Sequence, residues 1–168
     1  VGNTEASPKV NVPTLDKYTS DINDSKQNGW TSNQSSADHD IGDNVPFHIQ
    51  INLGDNIENY TDYQVNVTDT MSKGLTFNND AVVKLAEKTL IKDKDYTIAT
   101  SAGENGAAII KFEFSDLIAC GAKNGNTLVI EYTAKLNDDA VIGDPGNPNE
   151  AYMEYSNNPY NDEMGKTP

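Results

Sequence analysis

The sequence predicts an all-β chain folded as an antiparallel β-sandwich. Two observations carry this. Period-two alternation of apolar and polar residues recurs along the chain, marking roughly eight to ten short strands. Turn-forming residues separate these runs, and the helix signals between them are weak.

The clearest run is VPFHIQINL, residues 45–53. Val45, Phe47, Ile49, Ile51 and Leu53 face one way, and Asn44, His48, Gln50 and Asn52 the other. In YQVNVTD, Tyr63, Val65, Val67 and Asp69 share a face. KGLTF adds a turn and a short apolar piece at Leu75 and Phe77. AVVKL (81–85) and YTIAT (96–100) follow, joined by a lysine-rich connection. AIIKFEF aligns Ile110, Phe112 and Phe114; LVIEYTAKL aligns Leu128, Ile130, Tyr132, Ala134 and Leu136. NEAYMEY aligns Asn149, Ala151, Met153 and Tyr155. Between strands, SDLIACG predicts a single helical turn, capped by Ser115 and ended by Gly121. The segments 20–43 and 137–149 are long polar connections.

At 168 residues the chain is expected to form one domain with a substantial core. Its net charge is −14, and every one of its 12 basic residues is lysine. Such a chain offers no basic patch for nucleic acid or for an anionic membrane surface. Its single cysteine, Cys120, can form no internal disulfide and is expected as a small half-buried apolar side chain. No apolar run is long enough to cross a membrane. The abrupt ends, VGNTEASP and GKTP, are expected of a fragment cut from a longer protein.

The stretch VPTLDKYTSD (12–21) reads as a strand in which Lys17 and Thr19 share the face of Leu15. Lysine is almost never fully buried without a partner. Asp69 likewise lies in the stripe of Val65 and Val67, and Asn149 in that of Ala151 and Met153. A buried amine tends to its neutral, nucleophilic form and a buried carboxyl to its protonated form. Together with an asparagine side chain, those groups have the chemistry to form a Lys–Asn isopeptide bond with loss of ammonia. The product amide is neutral, which removes the burial problem. Each residue alone also fits a strand running out into water, and periodicity leaves both readings open.

The order LDK, IGDNVPFHI, YQVNVTDTMSKGLTF, VIEYTAKLNDDAVIG and GNPNEAYMEYSNNP resembles the second, isopeptide-forming domain of Gram-positive pilus backbone proteins. The resemblance runs from about Val10 to the end of the chain and implies the collagen-adhesin A-type fold, an immunoglobulin-like sandwich with additional strands. It implies a cross-link between Lys17 and Asn149, with Asp69 as the assisting proton shuttle. Asn157 has the same parity and stands second to Asn149; Asn147 and Asn158 also lie close by. It further implies a sandwich over residues 10–160 between linkers at 1–9 and 161–168. The implied setting is the cell-wall surface, with neighbouring pilin subunits and a sortase as partners acting through regions outside this chain. No cofactor is implied and no catalytic turnover, since the chemistry consumes its own residues.

The other candidates are weaker. Asp38, His39, Asp40 and Asp43 form an acidic cluster, and Asp21, Asn23 and Asp24 another, but neither has EF-hand spacing and both are expected as solvated loops. His39 and His48 have no partner spacing for zinc. An alternative function is a wall-anchored adhesin domain in which the 20–43 excursion, with Trp30, recognises a host protein or glycan; the tyrosines at 152, 155 and 160 are further candidates for a sugar-binding surface.

Overall fold

The computed structural model describes residues 12–20, 30–32, 40–141, 146–156 and 164–167. These contain twelve strands and two three-residue 3-10 turns, Ile57–Asn59 and Glu104–Gly106. One sheet contains β1 (Thr14–Ser20), β2 (Trp30–Ser32), β3 (Asn44–Asn52), β5 (Leu75–Phe77), β6 (Val82–Leu85), β7 (Lys88–Thr89) and β10 (Thr127–Leu136). Its order is β2-β1-β3-β10-β6-β7, with β5 also paired to β10. The other sheet runs β12 (Met164–Lys166), β11 (Asn149–Ser156), β4 (Val65–Met71), β9 (Ala108–Phe114), β8 (Thr97–Ala102). All strand pairs are antiparallel.

The core is the meeting of the two alternating faces. In β3, Val45, Phe47, Ile49 and Ile51 are buried, and Leu53 follows just beyond it. In β10 every second residue from Leu128 to Leu136 is buried. From the opposite sheet come Val65, Val67 and Met71 of β4, Ile110, Phe112 and Phe114 of β9, and Met153 and Tyr155 of β11. A one-residue slip in any of these strands would turn its whole apolar set to water, so the burial pattern fixes the register.

Three short strands exceed the sequence expectation: β2, β7 and β12. Each is two or three residues long, too short to show alternation. The last lies beyond residue 160, the end expected for the sandwich, and pairs Glu154–Ser156 with Met164–Lys166.

The helical turn expected in SDLIACG is instead a hydrogen-bonded turn, and Asp116 rather than Ser115 organises it. The Asp116 Oδ1 accepts from the backbone N–H groups of Tyr63, Ile118 and Ala119. A carboxylate serves several such donors better than a hydroxyl does. Gly121 closes the turn at φ +95°, in the left-handed region that favours glycine. Cys120, behind this turn, is buried.

Gly74, in the KGLTF turn, is required by close approach. A Cβ there would collide with the Asn147 side chain and the Ala140 backbone. Asn147 is itself buried, its Oδ1 accepting from Val141 N–H at 2.8 Å and its Nδ2 donating to Val141 C=O at 3.0 Å. These bonds close the connection on itself, and the Ser72 N–H, donating to Pro148 C=O at 2.9 Å, ties it to the β4–β5 turn.

Candidate functional site

Lys17 projects from β1 into the sandwich, which decides between the two readings that its parity with Leu15 and Thr19 left open. It is 8% exposed, and Thr19 is buried on the same face. Across the core Asp69 of β4 is fully buried. The Lys17 Nζ donates to Asp69 Oδ1 at 2.9 Å, joining one sheet to the other. The amine also lies over the rings of Phe47 and Tyr132, 5.1 and 5.8 Å from their centroids.

Asn149 opens β11 opposite Met71, two residues from Ala151, which faces Asp69 in the register. Its parity therefore places it on the same face of the sheet as Asp69. The residue that joins the two is Tyr132 of β10, which is buried. The Tyr132 hydroxyl donates to Asp69 Oδ2 and accepts from Asn149 Nδ2, the latter at 2.9 Å. The Asn149 Oδ1 is buried without a hydrogen-bond partner among the described residues. The result is a continuous polar chain, Lys17–Asp69–Tyr132–Asn149, inside an apolar core. Lys17 and Asn149 also line one cleft of about 700 Å³ between β1 and β11.

The electrostatics follow from burial. Desolvation lowers the Lys17 pKa, against the opposing pull of Asp69. Desolvation raises that of Asp69, against the opposing influence of Lys17 and of the Tyr132 hydrogen bond. Tyr132 is pushed well above its ordinary value by burial and by the neighbouring carboxylate. Both members of the ion pair are thus displaced towards their neutral forms.

Tyr132 escaped the sequence reading as a site residue, although its place in the apolar stripe of β10 was legible. The available signal was its hydroxyl, because a buried tyrosine needs a hydrogen-bond partner. Two of the asparagine candidates, Asn147 and Asn149, are among the described residues, and their amides have different partners. The Asn147 amide is occupied by Val141, while Asn149 contacts the Tyr132 end of the chain. Asn157 and Asn158 lie outside the described residues, as do Asp21, Asn23, Asp24, Asp38, His39 and Tyr160.

No group of three or more metal-ligating side chains occurs among the described residues. Asp43 Oδ2 accepts from the Asp40 backbone N–H at 2.8 Å, a local turn bond. The His48 Nδ1 is 3.0 Å from Glu131 Oε1 on the adjacent strand. Lys166 lies over the Tyr152 ring, 4.2 Å from its centroid.

Residues 41–159 match the family model for the Gram-positive pilin backbone subunit 2, Cna-B-like domain. The chain belongs to this pilin backbone family. The model carries a B-type description where the sequence motifs implied the A-type of the collagen-adhesin fold; the pilin family is the same in both. The trypsin-resistant surface T6 protein of Streptococcus pyogenes is 30% identical over 115 residues, covering 61% of this chain and 20% of that protein. The chain thus spans about a fifth of the length of that relative. Among solved structures, the pilus backbone protein RrgB of Streptococcus pneumoniae is similar at 25% identity and a TM-score of 0.61, over 88% of this chain and 53% of that one. The T6 backbone pilin of Streptococcus pyogenes is similar at 26% identity and a TM-score of 0.59, over 93% of this chain and 33% of that one. The major pilin fragment of Streptococcus agalactiae has a TM-score of 0.67 at 20% identity over 92% of this chain and 53% of its own, and shares the fold.

Proposed function

We propose that this chain is a shaft domain of a cell-surface pilus, in which Lys17 and Asn149 condense into an intramolecular isopeptide bond assisted by Asp69. The buried chain from Lys17 to Asn149 is the observation that carries this reading. An ammonium 8% exposed beside a fully buried carboxylate is costly to keep in an apolar core. Condensation replaces the pair with a neutral amide and a neutral acid.

The chemistry balances. Lys17 gives a first proton to Asp69 and becomes a neutral amine. Its lone pair attacks Asn149 Cγ, and the Cγ–Nδ2 bond breaks to release ammonia. Of the two protons that Lys17 gives up, one leaves in the ammonia and one stays on Asp69. The residues of the site are used once, so the domain has no turnover.

The function of such a bond is mechanical. β1 and β11 are the first and last long strands and belong to different sheets. A Lys17–Asn149 link would tie the sheets covalently and close a loop over most of the chain. In a chain-entropy model, closing a loop of this size contributes about 5 kcal/mol. Tension entering before Lys17 and leaving after Asn149 would run through the link and bypass the strands between. Neighbouring pilin subunits and a sortase are the partners this reading implies, and the cell-wall surface its location. The body of the domain would run from about residue 10 past residue 160 to include β12, which ends at Lys166, with 1–9 leading to a neighbouring domain.

Digestion of the fully denatured protein tests the assignment. A branched fragment containing both Lys17 and Asn149 is expected; two separate linear peptides carrying these residues would contradict it.

A further inference from the structure

We infer that the Tyr132 hydroxyl is a catalytic proton relay in isopeptide formation, connecting the Asp69 carboxyl to the departing nitrogen of Asn149. The inference rests on the Lys17–Asn149 cross-link proposed above and assigns it a residue that the three-residue scheme lacks.

The geometry divides the work between the two oxygens of Asp69. Oδ1 faces the amine of Lys17 at 2.9 Å, while Oδ2 faces the Tyr132 hydroxyl. That hydroxyl touches Asn149 Nδ2, the atom that must leave, at 2.9 Å. No hydrogen bond joins Asp69 to Asn149 directly among the described residues. The shuttle therefore reaches the leaving group through Tyr132.

The relay follows from this order. Lys17 passes its first proton to the oxygen that faces it. A half-turn of the carboxyl about Cβ–Cγ then brings that proton to the Tyr132 side. There the hydroxyl accepts it in a hydrogen bond and turns its own hydrogen towards Nδ2. From here Oδ1 is the oxygen facing Lys17 and Oδ2 the protonated one facing Tyr132. The neutral amine then attacks Asn149 Cγ, and the adduct carries a positive Nζ and a pyramidal Nδ2 with a free lone pair. Nζ passes its excess proton to Oδ1, Oδ2 passes its own to the Tyr132 oxygen, and the Tyr132 hydrogen moves to Nδ2. Ammonia departs as the carbonyl reforms. Tyr132 ends as it began, and Asp69 ends with one proton. A carboxyl that accepts at one oxygen and releases at the other suits general acid–base work.

The rest of the Tyr132 side chain is held for this task. Its ring stacks on Phe47 at 5.4 Å between centroids, meets Phe77 edge-on at 5.5 Å and lies 6.2 Å from Phe112. A phenylalanine would keep these contacts and lose only the hydroxyl.

The test is a time course of cell-free synthesis, with samples denatured and weighed intact. Wild type is expected to lose one ammonia as it folds. Tyr132→Phe is expected to fold, by circular dichroism, and to lose ammonia at least ~100-fold more slowly, the usual scale of a general acid–base contribution. Loss at the wild-type rate would overturn the relay and leave the cross-link standing. A wild type that never loses ammonia would instead overturn the cross-link itself. If Tyr132→Phe fails to fold, 3-fluorotyrosine incorporated at Tyr132 decides the matter, since it retains the hydroxyl and makes it more acidic. A changed cross-linking rate supports the relay, and an unchanged one overturns it.

Discussion

Lys17 and Asp69 lie in opposite sheets of the sandwich, yet their charged groups are 2.9 Å apart, with Asp69 fully buried and Lys17 nearly so. Removing one partner of such a pair leaves the other buried and uncompensated, at a cost of about 3–5 kcal/mol. Lys17→Ala leaves Asp69 without its partner before any cross-link forms and forfeits the link itself, so it should unfold more readily than wild type and retain its full expected mass. Chemical denaturation followed alongside intact mass checks both. A Lys17→Ala protein that still loses ammonia would place the nucleophile elsewhere.

Asp69→Asn separates chemistry from shape. The amide nearly preserves the carboxyl's size but cannot accept a proton from Lys17 and release one towards Asn149. The variant should fold, remain at full mass and melt below wild type. Mass spectrometry and a melting curve on the same sample read the two effects.

Asn149→Ala keeps the Lys17–Asp69 pair but denies it an electrophile. Its stability should fall by about 5 kcal/mol, the loop-closure contribution of the lost link. Pulled by its ends in a force spectrometer, it should lengthen by the unfolding of β1 to β11. Wild type should yield only the chain outside Lys17 and Asn149.

The same variant should respond to pH with an identifiable sign. The Lys17 pKa is lowered in the folded state by desolvation, from an ordinary value of 10.5. The unfolded chain therefore holds that proton more tightly. The penalty is fully present below the folded-state value and disappears as pH rises towards 10.5. Asp69 has the opposite slope: with its pKa raised by burial, its penalty grows as pH rises from the ordinary value of 3.8 and is complete above its folded-state value. As pH rises towards 10.5 the Lys17 penalty falls away, and Asn149→Ala should gain stability relative to the cross-linked wild type, which has no free Lys17 amine. Denaturant midpoints of the two proteins at neutral pH and near pH 10 check this.

Asn147→Ala provides the control for a neighbouring asparagine. It should lose the paired bonds to Val141, at a cost of about 1–3 kcal/mol, and still cross-link. A full-mass Asn147→Ala protein would mean that the wrong asparagine had been assigned.

The long strands were legible because their alternation is strict: β3 and β10 bury every residue that parity assigns to the core. The same rule put Lys17 and Asp69 in phase with apolar stripes but left open whether those strand ends were buried or ran out into water; their burial in the fold decides it. Other features depend on contacts distant in sequence. Tyr132 looks like any core aromatic until Asp69 and Asn149, from the opposite sheet, close around its hydroxyl. The Asp116 turn draws on Tyr63, which only the folded topology brings near. The two- and three-residue strands β2, β7 and β12 have too few side chains to carry a period. The excursion containing Trp30 lies mostly outside the described residues, and no observation there favours the adhesin reading.

The most direct measurement is the intact mass of the purified wild-type domain after complete denaturation. The proposed cross-link predicts a mass lower than that of the sequence by one ammonia, restored to the full expected value in Lys17→Ala and Asn149→Ala once each substitution is counted. A wild-type mass equal to that of the unmodified sequence would contradict it, leaving Lys17 and Asp69 as a buried ion pair within a pilin sandwich.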